Sequence, residues 1–172
     1  MKLNLEKITK NSRTAFDDTV NPLKKNRVLK TFSNLLKKNK RLIFKENRKD
    51  MILAKQKKIK ESLIKRLELD DNKIKYIIKS VKDIIKIKDP TNNTLDMWKR
   101  PNGLIIKKVT VPIGVIAVVY ESRPNVTSDV ASLCFKSGNA VILRGGSEAF
   151  NTNKIISNLF RKSLKKCGVN QN

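Results

Sequence analysis

The sequence predicts an α/β protein in which a Lys-rich helical arm precedes a βαβ unit of the Rossmann-like type. Three observations lead to this prediction. Before residue 90, apolar side chains recur every three or four positions, as on the buried face of a helix. Between residues 111 and 147, two short apolar runs rich in β-branched residues flank one helical segment. The same stretch contains four of the six glycines, which mark the turns between these elements.

The N-terminal arm is predicted to contain five helical segments. They cover residues 1–20, 23–38, 42–58, 59–69 and 73–88. Asn21-Pro22 separates the first two, because proline interrupts the interior of a helix. Asp70-Asp71-Asn72 supplies candidate N-caps for the last segment, and Asp89-Pro90 ends it. The apolar pattern is interrupted too often for a coiled coil, so we expect the arm to pack on the later sheet.

A polar linker is predicted over Thr91–Gly103, and a further strand over Leu104–Val109. The only tryptophan, Trp98, lies in this linker, where packing at a domain edge is the simplest role and stacking on a nucleic-acid base is the alternative. We therefore divide the chain into residues 1–103, the arm with its linker, and residues 104–172, a βαβα unit.

The βαβ unit is predicted to begin with a strand at Val115–Tyr120 and to end with a strand at Ala140–Leu143. Both are continuous apolar runs, which is typical of parallel strands buried on both faces. The helix between them covers Val126–Lys136 and carries an apolar stripe at helical spacing. Gly138 is a candidate left-handed cap after this helix, and a last helix follows from Glu148.

Two loops follow the carboxyl ends of these strands, which is where open α/β sheets bind ligands. The first is residues 121–125, and the second is Arg144-Gly145-Gly146-Ser147. The second loop combines a cation, two residues without a side chain and the start of a helix, whose free N–H groups favour an anion. Taken alone, such a Gly-Gly segment is more typical of a plain strand-to-helix turn.

Residues 112–149 have the sequence PIGVIAVVYESRPNVTSDVASLCFKSGNAVILRGGSEA. This segment closely resembles the gamma-glutamyl phosphate reductase (glutamate-5-semialdehyde dehydrogenase) family. A looser resemblance extends upstream to about residue 26. This family is a branch of the aldehyde dehydrogenase superfamily. The resemblance implies the first βαβ part of a Rossmann-like cofactor domain, and it implies NADPH-dependent reduction of L-glutamyl 5-phosphate to L-glutamate 5-semialdehyde in proline biosynthesis. It also implies a cytoplasmic homo-oligomer, a functional link to glutamate 5-kinase, and that this chain is an N-terminal fragment that is inactive alone.

The resemblance also implies roles for three residues, Asn125, Arg144 and Ser147. Asn125 matches the asparagine whose amide stabilises the oxyanion, and a helix cap is its alternative role. Arg144 matches a lysine near the adenosine ribose of the cofactor, and Ser147 lies where the superfamily contacts the ribose hydroxyls; Gly145 and Gly146 complete this predicted cofactor-binding segment. Serine at position 147, where NAD-preferring relatives have a glutamate, favours NADP because no carboxylate repels the 2′-phosphate. The alternative role of Ser147 is the N-cap of the last helix.

The family's reaction begins with attack of a cysteine thiolate on the acyl phosphate, and neither cysteine of this chain fits that role. Cys134 lies on the apolar stripe of Val126–Lys136, and Cys167 lies in a Lys-rich helix end close to residue 172. The resemblance places the catalytic cysteine well downstream, in a separate domain. With two cysteines and no histidine, no metal site is expected.

The net charge of +24 raises a second possibility, a basic module that adsorbs to nucleic acid. The charge is dispersed, since residues 1–100 carry +17 and residues 101–172 carry +7. Lys, Asn and Ile, with 30, 18 and 18 copies, are the residues of A/T-rich codons, so base composition explains much of the excess. We expect weak, salt-sensitive adsorption rather than specific recognition, and no membrane segment. A pseudogene product without function is a third possibility.

Overall fold

Within residues 4–18, 20–121 and 123–171, which the computed structural model describes, five α-helices precede the first strand. They are α1 (Leu5–Asp17), α2 (Pro22–Lys38), α3 (Lys40–Gln56), α4 (Glu61–Leu67) and α5 (Asp71–Lys86). The strands are β1 (Thr94–Lys99), β2 (Ile105–Val109), β3 (Val115–Tyr120) and β4 (Ala140–Gly145). Helix α6 (Pro124–Lys136) joins β3 to β4, and a 3₁₀ turn (Ser147–Ala149) leads from β4 into α7 (Phe150–Lys166). The predicted fold class, helices followed by a βαβα unit, is confirmed.

Polar side chains start the arm's helices where the sequence indicates a break. The Asn21 side chain accepts a hydrogen bond from the Lys24 amide at 2.8 Å, and Pro22 opens α2. Asp70 accepts from the Lys73 amide at 2.7 Å and thereby caps α5. These bonds satisfy N–H groups that have no partner within the helix. The first helix ends at Asp17, slightly earlier than predicted.

The arm and the βαβα unit share one hydrophobic core. Helix α2 packs against both α5 and α7, and α5 packs against α6. Phe32 of the arm meets Phe160 of α7 edge to face, with ring centroids 5.0 Å apart. Phe135 of α6 contacts the same ring at 5.9 Å. The arm therefore packs mainly on the helices that flank the sheet, while α1 contacts β3 and β4 themselves.

The segment 91–103 contains a strand, so its prediction as a polar linker is wrong. Strand β1 pairs antiparallel with β2, with a bulge between Thr94 and Asp96. A turn connects the strands, in which the Gly103 amide donates to the Arg100 carbonyl at 2.9 Å. Both strands are largely exposed, so their sequence lacks the regular apolar alternation that predicts a half-buried strand.

Strands β3 and β4 are parallel, as predicted, and they pair from Val115 opposite Ala140 to Tyr120 opposite Gly145. The prediction that both faces are buried is wrong, because Val119 is 76% exposed. The predicted apolar stripe of α6 is wrong as well, since Leu133 is half exposed. The helix instead buries mostly small or hydroxyl-bearing side chains, such as Thr127 and Ala131, which allow close approach to β4 and α7.

Gly138 forms the predicted left-handed cap at the end of α6, with φ of +76°. Its backbone passes so close to Pro112 that an added Cβ would lie 2.9 Å from the proline ring. The next residue, Asn139, accepts a hydrogen bond from the Gly114 amide at 2.9 Å and holds the starts of β3 and β4 together. No helix in the described ranges has the length and apolar composition needed to cross a bilayer.

Candidate functional site

The register of β3 and β4 brings the two predicted loops to one edge of the sheet. Tyr120 and Gly145 form the last pair of the parallel ladder, so the chain leaves both strands side by side. The first loop leads into α6, where Asn125 is the second residue. The second loop ends at Ser147, which opens the 3₁₀ turn. Ser122 of the first loop lies outside the described residues. We refer to residues 121–125 and 144–147 together as the rim loops.

Asn125 is half-buried at the start of α6, and its side-chain amide is hydrogen-bonded to a residue of the same helix. Its Nδ2 donates to the Asp129 carboxylate at 3.2 Å, and the other oxygen of Asp129 accepts from the Ser80 hydroxyl at 2.8 Å. The N-cap of α6 is Arg123, and no side chain caps this helix among the described residues. The alternative role of Asn125 as a helix cap therefore finds no support. An amide nitrogen has two hydrogens, so one remains for a ligand.

Asp129 is a residue of the site that the sequence analysis missed. It lies one helical turn after Asn125, and the spacing i, i+4 places both side chains on one face of a helix. That spacing was the available signal for it. Ser80, which comes from α5 in the arm, had no signal in the sequence because the contact spans 49 residues.

Strand β4 runs two residues beyond the predicted end at Leu143, so Arg144 and Gly145 lie in the strand, opposite Val119 and Tyr120. Ser147 follows in the loop, and the side chains of Arg144 and Ser147 are both exposed. The described residues provide no ion pair for the Arg144 guanidinium. Ser147 is the first residue of the 3₁₀ turn, whose N-cap is Gly146, so its alternative role as N-cap of the last helix is not observed. An exposed guanidinium and an exposed hydroxyl three residues apart in sequence are suited to binding an anionic or hydroxyl-bearing ligand.

Gly145 and Gly146 are tightly packed rather than free. A Cβ on Gly145 would overlap the Asn153 amide and lie 3.1 Å from the Tyr120 ring. A Cβ on Gly146 would overlap the carboxylate of Glu148. The two glycines therefore allow the end of β4 and the start of α7 to approach each other closely.

The start of α7 binds an anion, as expected for a helix N-terminus, but the anion belongs to the protein. The Asp50 carboxylate, 1% exposed, accepts from the backbone amides of Asn151 and Thr152 at 3.0 and 2.7 Å. It also accepts from the side chains of Asn151 and Thr152, at 2.8 and 2.6 Å. The expectation that these N–H groups are free for a ligand is wrong. An anionic ligand at the rim depends on Arg144 and Ser147 instead.

Neither cysteine lies at the rim. Cys134 is nine residues after Asn125 in α6, about 14 Å along the helix axis. Burial raises the pKa of its thiol, which disfavours the thiolate that a nucleophile requires. Cys167 follows the last residue of α7 and lies 3.7 Å from the Thr31 hydroxyl. Among the described residues, no group of three or more His, Cys, Asp or Glu side chains is arranged to hold a metal ion.

A second feature, away from the rim, is a cleft of about 500 Å³ at the junction of α2 and α3. It is lined by Lys37, Lys38, Lys40, Arg41, Phe44 and Asp71. Lys40 and Asp71 form an ion pair there. Hydrogen bonding and charge attraction from Lys40 lower the pKa of the exposed Asp71 carboxyl below its usual value. The remaining cations make this cleft a suitable place for non-specific adsorption of polyanions.

The helical arm, the parallel βα unit and the paired rim loops define the class of protein. They form a fold that is also found in aldehyde dehydrogenases. A probable aldehyde dehydrogenase from Listeria monocytogenes superimposes with a TM-score of 0.67 over 96% of this chain, at 13% identity, and 34% of that protein is covered. At this identity the likeness concerns the fold alone. No protein-family profile matches the chain.

Sequence similarity then shows which proteins the chain is related to. The chain is 51% identical over 148 residues to gamma-glutamyl phosphate reductase from Hydrogenobaculum, which covers 86% of this chain and 34% of that protein. A Listeria welshimeri relative of the same name is 49% identical over 144 residues, 84% of this chain and 35% of that protein. The crystal structure of the Thermotoga maritima gamma-glutamyl phosphate reductase superimposes with a TM-score of 0.94 at 40% identity, over 97% of this chain and 41% of that one. The chain is thus related to the N-terminal part of gamma-glutamyl phosphate reductases, and it spans about a third of the length of the curated relatives it matches.

Proposed function

We propose that this chain provides the cofactor-binding rim of an NADPH-dependent gamma-glutamyl phosphate reductase. The observation that carries the proposal is the parallel pairing of Tyr120 with Gly145, because it puts Asn125 and the Arg144–Ser147 loop at one edge of the sheet. The reaction is the reduction of L-glutamyl 5-phosphate to L-glutamate 5-semialdehyde with release of phosphate. In the same proposal the enzyme is a cytoplasmic homo-oligomer of proline biosynthesis, and a glutamate 5-kinase supplies its substrate.

The side chains at the second rim loop fit the adenosine 2′-phosphate of NADP. Arg144 and Ser147 are exposed, and position 147 has a hydroxyl where a carboxylate would repel the phosphate. Arg144 has no described ion-pair partner, so its guanidinium can form a bidentate bond with a phosphate. The bound cofactor supplies the hydride. Gly145 and Gly146 let the chain pass closely from β4 towards α7, because a Cβ on either residue would overlap a neighbouring side chain.

Asn125 acts on the other reactant in this proposal. Its free amide hydrogen donates to the carbonyl oxygen of the acyl group, where negative charge develops during attack and reduction. Loss of such a donor typically lowers the rate about 100- to 1,000-fold. Asp129 fixes the amide orientation through the bond to Nδ2, so the donor is pre-oriented. The nucleophile is a thiol other than Cys134 and Cys167, since both lie away from the rim.

The experiment is a calorimetric titration of the purified 172-residue chain with NADP and with NAD. We expect tighter binding of NADP, and we expect Ser147→Glu to abolish that preference because a carboxylate repels the 2′-phosphate. Thr94→Glu, at an exposed position of β1, is the matched control, since it adds the same charge on a hairpin whose strands pack chiefly on each other. Equal binding of both cofactors, or equal effects of the two substitutions, would contradict the proposal.

An activity assay distinguishes a chain that lacks the nucleophilic thiol from a chain that catalyses the reaction alone. The chain alone is expected to show no oxidation of glutamate semialdehyde with NADP, because neither cysteine is placed to attack at the rim. Measurable turnover by the purified chain would show that one of its own thiols is the nucleophile after all.

A further inference from the structure

A short series of hydrogen bonds connects the elements that carry the rim loops. Tyr120, the last residue of β3, places its hydroxyl 2.7 Å from Oγ1 of Thr127 in α6. The Thr127 hydroxyl donates to Oδ1 of Asn153 in α7, at 2.9 Å. Because a threonine hydroxyl has a single hydrogen, Tyr120 is the donor in the first bond. The two bonds therefore run in one direction, and such bonds polarise and strengthen each other.

The environment of this series protects it from competition by water. Thr127 is 1% exposed, and Tyr120 is half-buried. Burial raises the pKa of the Tyr120 phenol, against the opposing effect of the bond with Thr127, so the phenol keeps its proton at neutral pH. A buried hydroxyl that loses its partners leaves them without compensation from solvent.

The far end of the series contacts the second rim loop. Nδ2 of Asn153 is buried and has no hydrogen-bond partner among the described residues. It lies directly against Gly145, where a Cβ would displace it. The ring of Tyr120 is the other neighbour of that position. The end of β4 therefore packs against the side chains of Tyr120 and Asn153, and both are hydrogen-bonded to Thr127.

We propose that Thr127 is a positioning residue that sets the first rim loop relative to the second. It follows Asn125 by two residues in α6, and its hydroxyl connects α6 to β3 and α7 at once. A displacement of the Tyr120 or the Asn153 side chain therefore shifts the backbone at Gly145, which packs against both. The consequence for cofactor binding rests on the proposed function, whereas the consequence for loop geometry does not.

The test compares Thr127→Val, which keeps the shape and removes the hydroxyl, with Thr127→Ser, which keeps the hydroxyl. Thr31→Val is the control, since Thr31 is a partly buried helical threonine in α2, with its hydroxyl 2.8 Å from the Arg27 carbonyl. In ¹H–¹⁵N spectra of the 172-residue chain, we expect Thr127→Val to shift the amide signals of Asn125, Gly145 and Gly146. Thr127→Ser leaves them near their original positions, and Thr31→Val does not move them.

The second readout is the affinity for NADP, which we expect Thr127→Val to weaken by between about twofold and tenfold, as the loss of one or two hydrogen bonds predicts. If Thr127→Val lowers the melting temperature but leaves the three rim signals in place, Thr127 is a structural residue only and the inference is wrong. If that variant does not fold, Tyr120→Phe removes one bond of the same series and is expected to shift the same signals. Unchanged signals in Tyr120→Phe would then overturn the inference. A wild-type chain that binds no NADP contradicts the proposed function and leaves the comparison of rim signals valid.

Discussion

The carboxylate of Asp50 in α3 accepts hydrogen bonds from both the backbone amide and the hydroxyl of Thr152 in α7, at 2.7 and 2.6 Å, across 102 residues of sequence. The carboxylate thus performs for α7 the role that a local side chain performs for α2 and α5. Asn47, one turn earlier in α3, donates to the Thr152 hydroxyl at 3.1 Å and completes the contact. The arm thereby fixes the helix that begins immediately after the second rim loop.

Asp50→Asn is expected to lower the free energy of unfolding by about 1–3 kcal/mol, since a buried acceptor bonded to four donors is replaced by a group that accepts on one atom only. Urea denaturation measures this loss. Asp17→Asn is the control, because its carboxylate is exposed in an ion pair with Arg13 and such pairs contribute little. A similar effect of the two substitutions would show that the α7 contact is unimportant for stability.

Gly145→Ala is expected to destabilise the chain by about 1–3 kcal/mol, because the added methyl group overlaps the Asn153 amide. Asn153→Ala removes that amide and creates space for the methyl group. In a double-mutant cycle, Gly145→Ala should therefore cost clearly less when Asn153 is already alanine. Strict additivity of the two free-energy changes would contradict the close contact between the end of β4 and the start of α7.

Phe32→Ala is expected to cost about 3–5 kcal/mol, since the ring is fully buried between the arm and α7. Because the arm and the βαβα unit share this core, we expect one unfolding transition, seen alike by circular dichroism and by tryptophan fluorescence. Phe150→Ala is the control: its ring is 59% exposed, and its replacement should have a small effect. Two separate transitions in the wild-type chain would mean that the arm folds as an independent unit.

The acid dependence of stability should include a contribution from Asp89. Burial alone raises the pKa of this carboxyl, but hydrogen bonds from Thr91 and Lys25, with the charge of Lys25, lower it below the usual 3.8. The folded state therefore binds its proton less readily than the unfolded state. The resulting stabilisation is present above pH 3.8 and is lost as the pH falls through the lower folded-state pKa.

Asp89→Asn should accordingly reduce the pH dependence of the unfolding free energy below about pH 4, as measured by denaturant titrations at a series of pH values. Asp83→Asn serves for comparison, because the pKa of Asp83 is also lowered, chiefly by a hydrogen bond from Lys86, but this pair is at the surface and is screened by salt. If the unfolding free energy of Asp89→Asn depends on pH as that of the wild type does, the buried Lys25–Asp89 pair does not contribute to the acid dependence.

The sequence predicts the elements of this fold well where the signals are local. Asn21-Pro22, Asp70 and Gly138 mark element ends in the sequence, and each of them caps or ends a helix in the structure. Strand β2 was predicted, but its partner β1 was missed because β1 is exposed and lacks an apolar alternation. The wrong apolar stripe of α6 has a related cause: close packing on β4 favours small side chains such as Ala131, and hydrophobic periodicity does not detect them.

The candidate site shows the same limit. Parallel strands predict that the rim loops meet, and Asn125, Arg144 and Ser147 are found there. The residues that support them were not predicted, because Asp50 and Ser80 reach the site from the arm across 101 and 49 residues. Only the tertiary structure reveals that a protein carboxylate already occupies the start of α7.

The most direct test of the cofactor rim is a titration of the ¹⁵N-labelled 172-residue chain with NADP, followed by ¹H–¹⁵N spectra at 150 mM salt. The account predicts that the signals of Asn125 and of residues 144–147 move together with increasing NADP, and that tripolyphosphate does not reproduce their movement. If those signals stay fixed while Lys37, Lys38 and Arg41 respond equally to NADP and to tripolyphosphate, the chain binds only polyanions, at the α2–α3 cleft, and the cofactor rim is contradicted.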